Sequence, residues 1–315
     1  MLIASCGENS ASDRLNFEEQ GREVPEFNAD SAYRFVEEQV ALGTRQPGSE
    51  GHKKAKEYFL EKLRNYASER SVYPQNFTVE GYEGDSLDLT NVIASFNTQS
   101  SDRIMLCAHW DTRPRADQDP ENPEKPILGA DDGGSGVGVL LELARLFNNN
   151  PPPIGVDIVL FDGEDYGRKG DLENYFLGSR YWTKNQPVKG YAPRFSILLD
   201  MVGGQGAQFP KEANSMQFAP ALVNEVWSIA DQKGYGNLFL DVKGNAISDD
   251  HIVVNRNLGI PIINIIRHQV GTNGAQFAPY WHTQQDNMDI ISRETLAGVG
   301  RVVTELIYNR IETTP

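Results

Sequence analysis

The amino-acid sequence predicts a single α/β domain in which helices flank both faces of a central, mixed and mostly parallel twisted sheet. Short apolar runs recur along the chain, and the clearest of them, residues 156–161, has the composition of a strand buried on both faces. Residues 134–149 lie between two such runs and have the apolar spacing of a helix, which is the βαβ arrangement of a parallel sheet. The length of 315 residues also suits one domain of about 250 to 300 residues with a short extension.

The first elements in chain order are two helices followed by strands. Asp30 or Ser31 is expected to cap the first helix, which ends at Gly43, and residues 49–67 form the second. The apolar period then changes to that of strands. These strands are predicted at residues 71–82, 86–96 and 103–110.

The second half of the chain continues the alternation of strands and helices. Further strands are predicted at residues 195–202 and 260–266, and helices at 215–233 and 292–309. Residues 112–128 contain four prolines and many polar side chains. We therefore expect them to form a surface loop beside the functional site rather than a linker between domains.

Composition argues against two classes of function. The chain has 29 basic and 44 acidic residues and a net charge of −15, so its surface is expected to repel nucleic acid. No stretch is long and apolar enough to span a bilayer, so no transmembrane segment is predicted. Cys107 lies in a strand-like run and Cys6 in a polar segment, which argues against a disulfide between them.

The N-terminal region is predicted to be a polar arm over residues 1–27, ahead of a folded domain over residues 28–315. Residues 2–6, LIASC, resemble the lipobox of bacterial lipoproteins, in which Cys6 would carry a lipid anchor. The charged and apolar segments that normally precede a lipobox are missing. Two expectations stay open: a tether lipidated at Cys6, which would place the protein at the periplasmic side of a bacterial cell envelope, or an unmodified arm.

Acidic and histidine side chains cluster where the predicted strands end. They are His109 and Asp111, Asp131 and Asp132, Glu164 and Asp165, Asp200, Asp249, Asp250 and His251, and His282. Ligands bind at the rim outside the carboxyl ends of parallel strands, and zinc takes oxygen and imidazole ligands from such separate strand ends. Taken singly, His109 also fits a hydrogen-bonded histidine at a strand end, and Asp132 fits a helix cap.

Several short motifs at these positions carry a family resemblance. AHWDTRP, GADDGGSG, FDGED, LGSRYW, LLDMVGG, DDH, GIP and WHTQQDN occur in this order. The chain resembles the zinc aminopeptidase family that also contains the glutaminyl-peptide cyclotransferases, or glutaminyl cyclases, over residues 28–309. Among its members the bacterial cyclases are most similar, which implies a zinc aminopeptidase-like fold and catalytic domain.

The resemblance implies a set of metal ligands and a catalytic base. Zinc would be bound by Asp132, Asp165 and His282, and Glu164 would act as general base and acid. Many family members have glutamate where this chain has Asp165. Aspartate is one methylene shorter, so the backbone must come closer to the metal, at a carboxylate oxygen distance of about 2 Å.

The same resemblance assigns five more residues. Asp200 and Asp250 would belong to the catalytic hydrogen-bond network around the base, and Trp281 and Phe277 would line the substrate pocket. His109 matches a position that holds a second zinc in the aminopeptidases. For Trp281, ordinary core packing is the alternative interpretation.

Three hypotheses for function remain. In the first, a monomer with one Zn²⁺ cyclises N-terminal glutaminyl residues of peptides and proteins to pyroglutamate and releases ammonia. In the second, two metal ions share a hydroxide and the protein is an aminopeptidase. In the third, the same fold is a non-catalytic binding module, which would be expected to lack Glu164 or a zinc ligand.

Overall fold

A six-stranded mixed sheet forms the centre of the structure, a computed structural model that describes residues 15–312. The strands in chain order are β1 (Val72–Glu80), β2 (Ser86–Phe96), β3 (Arg103–His109), β4 (Gly155–Phe161), β5 (Ser196–Asp200), β6 (Phe209–Lys211), β7 (Phe239–Lys243) and β8 (Ile262–Ile266). The central order is β1-β2-β4-β3-β5-β8, and β6 pairs with β7 in a separate sheet. Strands β4, β3, β5 and β8 are mutually parallel, and β2 pairs antiparallel with both β1 and β4. This confirms the predicted mixed, mostly parallel sheet.

Helices cover both faces of this sheet. They are α1 (Ala29–Ala41), α2 (Glu50–Tyr66), α3 (Gly134–Asn149), α4 (Leu177–Lys184), α5 (Ala213–Phe218), α6 (Pro220–Gln232), α7 (Asp250–Leu258) and α8 (Arg293–Glu305). Ile104 and Leu106 of β3 point into the core shared with α1, α2, α3, α6 and α8. Met105 and Cys107 point to the other face, where α4 and α7 pack. This alternation along β3 is what a strand buried on both faces requires.

The structure corrects several predicted elements. Helix α1 is capped by Asn28, whose side chain accepts from the Ser31 N–H, and not by Asp30 or Ser31. The helix predicted at 215–233 is two helices, because Pro220 begins α6 and disfavours helical geometry at the residue before it. Four elements of the structure, α4, α7, β6 and β7, were not predicted from the sequence. In α7 the apolar residues 252–254 are consecutive and show no helical spacing.

The described part of the N-terminal arm packs on the folded domain. Phe17 forms a β-bridge with Ile311, and the rings of Phe17 and Phe195 are in edge contact. Phe27 is 1% exposed and lies against Gly300, where an added Cβ would approach its ring to 2.3 Å. Residues 15–27 therefore run along the surface beside the C-terminal helix, whereas Cys6 lies outside the described residues.

The exit of β4 is held in place by a buried ion pair. Gly163 has a φ of 72°, a conformation that costs glycine least, and it turns the chain out of the sheet. Just before it, the Asp162 carboxylate lies 2.9 Å from His52 Nε2 of α2 and accepts from the Thr90 N–H. Burial lowers the pKa of His52, but the charge of Asp162 outweighs this effect and raises that pKa above its ordinary value.

This ion pair makes stability depend on pH. The contribution of protonated His52 is fully present below the ordinary histidine pKa of about 6.5 and is lost as pH rises through its raised pKa. We therefore expect the free energy of unfolding of the wild type to fall over that interval relative to His52→Gln. Denaturant unfolding at a series of pH values, with the exposed Lys53→Gln as control, measures the difference. Parallel pH curves for wild type and His52→Gln would contradict the assignment.

Candidate metal centre

Three side chains from separate loops meet at the rim of the sheet. Asp132 precedes α3, Asp165 follows β4, and His282 comes from the loop before α8. One ligand atom of each lies within 4.8 Å of the other two, and all three residues are buried. His282 Nε2 is 3.5 Å from Asp132 Oδ2 and 3.4 Å from Asp165 Oδ2. The fold thus brings together the three residues that the resemblance assigns to zinc, and the shorter Asp165 reaches the group.

A second group of the same kind adjoins the first and shares Asp132. His109 Nε2 at the end of β3 lies 3.1 Å from Asp132 Oδ1 and 3.4 Å from Asp200 Oδ1. The ligand atoms of these three residues also lie within 4.8 Å of one another. The geometry therefore offers space for one or two cations.

Unpartnered polar atoms in the two groups test whether a metal fits. Asp165 Oδ2, Asp200 Oδ1 and both ring nitrogens of His109 are buried and make no hydrogen bond. Buried polar atoms in folded proteins almost always have a partner. A set of imidazole nitrogens and carboxylate oxygens is the donor set that zinc uses. The residues present therefore fit zinc.

Two buried carboxylates hold the backbone of the ligand loops. Asp111 accepts hydrogen bonds from the backbone N–H groups of Glu164 and Asp165, at 2.9 and 3.2 Å. Asp286 accepts in the same way from the N–H of Asp132, at 3.1 Å, and from the N–H of the residue before it, at 2.8 Å. Asp286 was not predicted from the sequence as a site residue. Its position four residues after His282, in the same motif, was the available signal.

Arg113 and Asp117, from the loop at residues 112–128, contact two of the three ligands. Arg113 is 1% exposed, and its Nη1 donates to Asp165 Oδ1 at 2.8 Å. Its Nε and Nη2 donate to the Asp117 carboxylate at 3.0 and 2.6 Å, and Asp117 Oδ1 lies 3.2 Å from His282 Nδ1. A carboxylate on the second ring nitrogen fixes which nitrogen of a histidine faces a metal. The loop lies beside the site, as predicted, but these two roles were missed.

Removing the guanidinium should loosen metal binding. In Arg113→Met, Asp165 and Asp117 lose their shared donor, so we expect zinc affinity to fall by about 10- to 100-fold, as for other outer contacts of metal ligands. Competition with a chelating dye measures this directly. Arg115→Met is the matched control, because Arg115 in the same loop contacts Tyr82 and backbone carbonyls but no ligand. Equal zinc affinities in Arg113→Met and the control would refute the positioning role.

Three further buried acids, Asp200, Asp249 and Asp250, surround the proposed base Glu164. Burial raises the pKa of Glu164 well above its usual value, since the charge of His109 offsets the effect only in part. Burial likewise raises the pKa of Asp200 to about 6, of Asp249 to about 7 and of Asp250 to about 8. Such a concentration of buried carboxyl groups is stabilised by a cation.

A cavity of about 300 Å³ opens onto this cluster. Seven of the nine site residues named from the sequence line it: Asp132, Glu164, Asp165, Asp200, Phe277, Trp281 and His282. His109 and Asp250 are fully buried behind its wall. One side of the cavity is apolar, where the ring centroids of Phe277 and Trp281 lie 4.6 Å apart. The Trp281 ring also stacks on the His282 imidazole, with 3.6 Å between the ring centroids.

Backbone strain is concentrated in the same cavity. Among the described residues, four that are not glycine have positive φ, and three of them, Phe176, Met201 and His282, line the cavity. Such conformations cost of order 1–3 kcal/mol each and persist where the surroundings impose them. Strained positions of this kind cluster at functional sites, which supports this cavity as the functional site.

Comparisons with known proteins agree with this geometry. The model of peptidase family M28 matches residues 91–307. Glutaminyl cyclase from Bacteroides thetaiotaomicron, solved bound to N-acetylhistamine, is 46% identical, with a TM-score of 0.87, over 91% of this chain and 99% of that one. Glutaminyl cyclase from Tannerella forsythia is 46% identical, with a TM-score of 0.85, over 90% and 99%. A structure described as a leucine aminopeptidase precursor from Bacteroides thetaiotaomicron is 45% identical, with a TM-score of 0.86, over 91% and 99%.

Curated relatives are more distant. Aminopeptidase YwaD from Bacillus subtilis is 27% identical over 224 residues, which make up 69% of this chain and 43% of that protein. The chain spans less than half the length of this and the next two curated relatives. The matches to the two cyclase structures extend the likeness beyond the metal ligands to 90–91% of the chain.

Proposed function

The chain belongs to peptidase family M28, and we propose that within it the protein is a zinc-dependent glutaminyl-peptide cyclotransferase. It converts N-terminal glutaminyl residues of peptides and proteins to pyroglutamate and releases ammonia. The observation that carries this proposal is the group of Asp132, Asp165 and His282 beside Glu164, at the base of a cavity with an apolar wall. The two cyclase structures that are 46% identical to this chain support it.

Asp132, Asp165 and His282 would hold the zinc ion. When bound there, zinc supplies a Lewis acid for the side-chain carbonyl oxygen of the glutamine. The substrate's α-amine attacks its own amide carbon, a C–N bond forms, and the amide nitrogen leaves as ammonia. Glu164 takes the proton from the attacking amine and gives it to the leaving nitrogen, so one carboxylate serves both steps.

The cavity would position the glutamine for ring closure. Because nucleophile and electrophile belong to one residue, the protein's main task is to fold that residue into a reactive conformation. The Phe277 and Trp281 rings, 4.6 Å apart, form an apolar surface against which the glutamine side chain can pack. Cyclisation needs no activated water, and we therefore propose one functional zinc.

The second candidate function is aminopeptidase activity with two metal ions. The group of His109, Asp132 and Asp200 is the specific observation in its favour. Two cations in adjacent groups would activate a water molecule for hydrolysis of the first peptide bond. The cyclase proposal requires only the group of Asp132, Asp165 and His282.

The two functions predict different products. We expect the zinc-loaded protein to release ammonia from glutaminyl peptides and to leave leucine amides and leucyl peptides intact. A coupled ammonia assay, run beside a leucine-release assay at the same enzyme concentration, measures both. Hydrolysis of the leucyl substrates without cyclisation of glutaminyl peptides would overturn the cyclase proposal in favour of the aminopeptidase.

We also propose a lipid anchor at Cys6 and a periplasmic location, on the strength of the LIASC motif. Cys6 lies outside residues 15–312. Each helix in that described range is too short or too polar to span a bilayer. Mass spectrometry of the native protein tests the anchor, and an unmodified Cys6 would refute it. A monomer is expected, and sedimentation of the purified protein tests this.

A further inference from the structure

A second cavity adjoins the catalytic one. It has a volume of about 200 Å³ and lies along α4 and α7. Leu172, Phe176 and Ser248 line both cavities, so the two are neighbours across shared side chains. Arg180 and Arg256 line only this second cavity, which we call the outer cavity. A peptide whose first residue occupies the catalytic cavity can therefore continue past these shared residues toward two guanidinium groups.

Arg180 is held in place with one edge free. Its Nε donates to the Tyr175 carbonyl and its Nη2 to the Leu172 carbonyl, both at 2.9 Å. The guanidinium also lies over the Phe176 ring, at 5.8 Å from the centroid. Nη1 has no partner among the described residues. An anchored guanidinium with a free donor loses little entropy when it binds a carboxylate.

Neither arginine forms an ion pair within residues 15–312. This holds although Asp171 and Glu173 flank Leu172, which lines the cavity. Arg256 is exposed on α7. In a chain of net charge −15, two unpaired arginines beside the catalytic cavity form a local positive site.

From this arrangement we propose that the outer cavity is a subsite for a carboxylate of the peptide substrate, beyond its N-terminal glutamine. The carboxylate belongs either to an acidic side chain or to the C-terminus of a short peptide. The inference rests on the proposed cyclase function and names its preferred substrates: glutaminyl peptides with a negative charge a few residues downstream.

The test compares amidated glutaminyl pentapeptides of alanine and glycine that carry one Glu or one Lys at position 2, 3, 4 or 5. A neutral pentapeptide with a free C-terminus separates the terminal carboxylate from the side-chain one. At one of these positions, we expect kcat/KM for ammonia release to favour Glu over Lys by about fivefold, the size of a well-placed exposed ion pair. The preference should appear in KM and decline with added salt.

Charge reversal at the exposed arginine makes the test specific. Arg256→Glu should invert the ratio of Glu to Lys peptide rates, and Arg180→Gln should reduce it toward one. Arg70→Gln is the control: Arg70 is exposed just before β1 and lines neither cavity, so its replacement should leave the ratio unchanged.

Two results would overturn the subsite. The first is equal kcat/KM for Glu and Lys peptides at every position, with no gain from a free C-terminus. The second is a preference for Glu that persists unchanged in Arg256→Glu. In both results ammonia is still released, so the cyclase function stands. Absence of ammonia from every peptide would instead overturn the cyclase proposal, and the subsite with it.

Discussion

Glu164→Gln should abolish ammonia release while the protein keeps its zinc. Glutamine has nearly the same shape as glutamate and can occupy the same place beside Asp165, but it cannot accept the proton of the attacking amine. Loss of a general base typically costs about 10²- to 10⁴-fold in rate. We expect the loss to fall on kcat, because the apolar wall at Phe277 and Trp281 still binds the glutamine side chain.

The measurement pairs single-substrate kinetics with metal analysis of the same sample. Glu173→Gln is a matched control, since it removes an exposed acid that follows the cavity-lining Leu172 in sequence and does not itself line the cavity. The control should retain wild-type rates. A Glu164→Gln variant that turns over normally with full zinc content would remove Glu164 from the role of base.

His282→Ala should remove zinc and activity together. His282 supplies the one nitrogen ligand of its group, and without it two carboxylates remain, one of them also near His109. A ligand that binds only the folded state stabilises it in proportion to its affinity. We therefore expect the rise in Tm on adding zinc to the metal-free protein to disappear in this variant, along with ammonia release.

Gln285→Ala provides the control for His282→Ala. Gln285 is exposed in the same loop, and its side chain contacts no proposed ligand. It should keep both the zinc-dependent Tm and the activity. A His282→Ala protein that still gains stability from zinc and still cyclises peptides would show that the metal is bound elsewhere.

Much of the fold and the location of the site could be predicted from the sequence because both depend on local patterns. An apolar run such as residues 156–161 predicts a strand buried on both faces of a sheet. Strand β4 confirms this, because all of its residues are buried. The carboxyl ends of parallel strands share one rim, so residues following different strands, such as His109 and Asp165, had to come close. Which of them would bind one cation followed only from the family resemblance.

The missed features depend on the path of loops, which carry no periodic signal. Arg113 and Asp117 lie in a polar, proline-containing loop, and only its folded path places them against Asp165 and His282. Asp286 was not predicted as a site residue, and only the folded loop shows that its carboxylate accepts from the N–H of Asp132. Each of these three residues contacts a buried donor or a metal ligand from a distant part of the chain. No local sequence pattern marks such a contact.

Crystallography of the zinc-loaded protein, with anomalous data collected at the zinc absorption edge, locates each bound zinc ion. We expect one anomalous peak, bounded by Asp132, Asp165 and His282, with the Glu164 carboxylate beside it. Two peaks about 3.5 to 4 Å apart, the second bound by His109 and Asp200, would contradict it and favour the two-metal aminopeptidase.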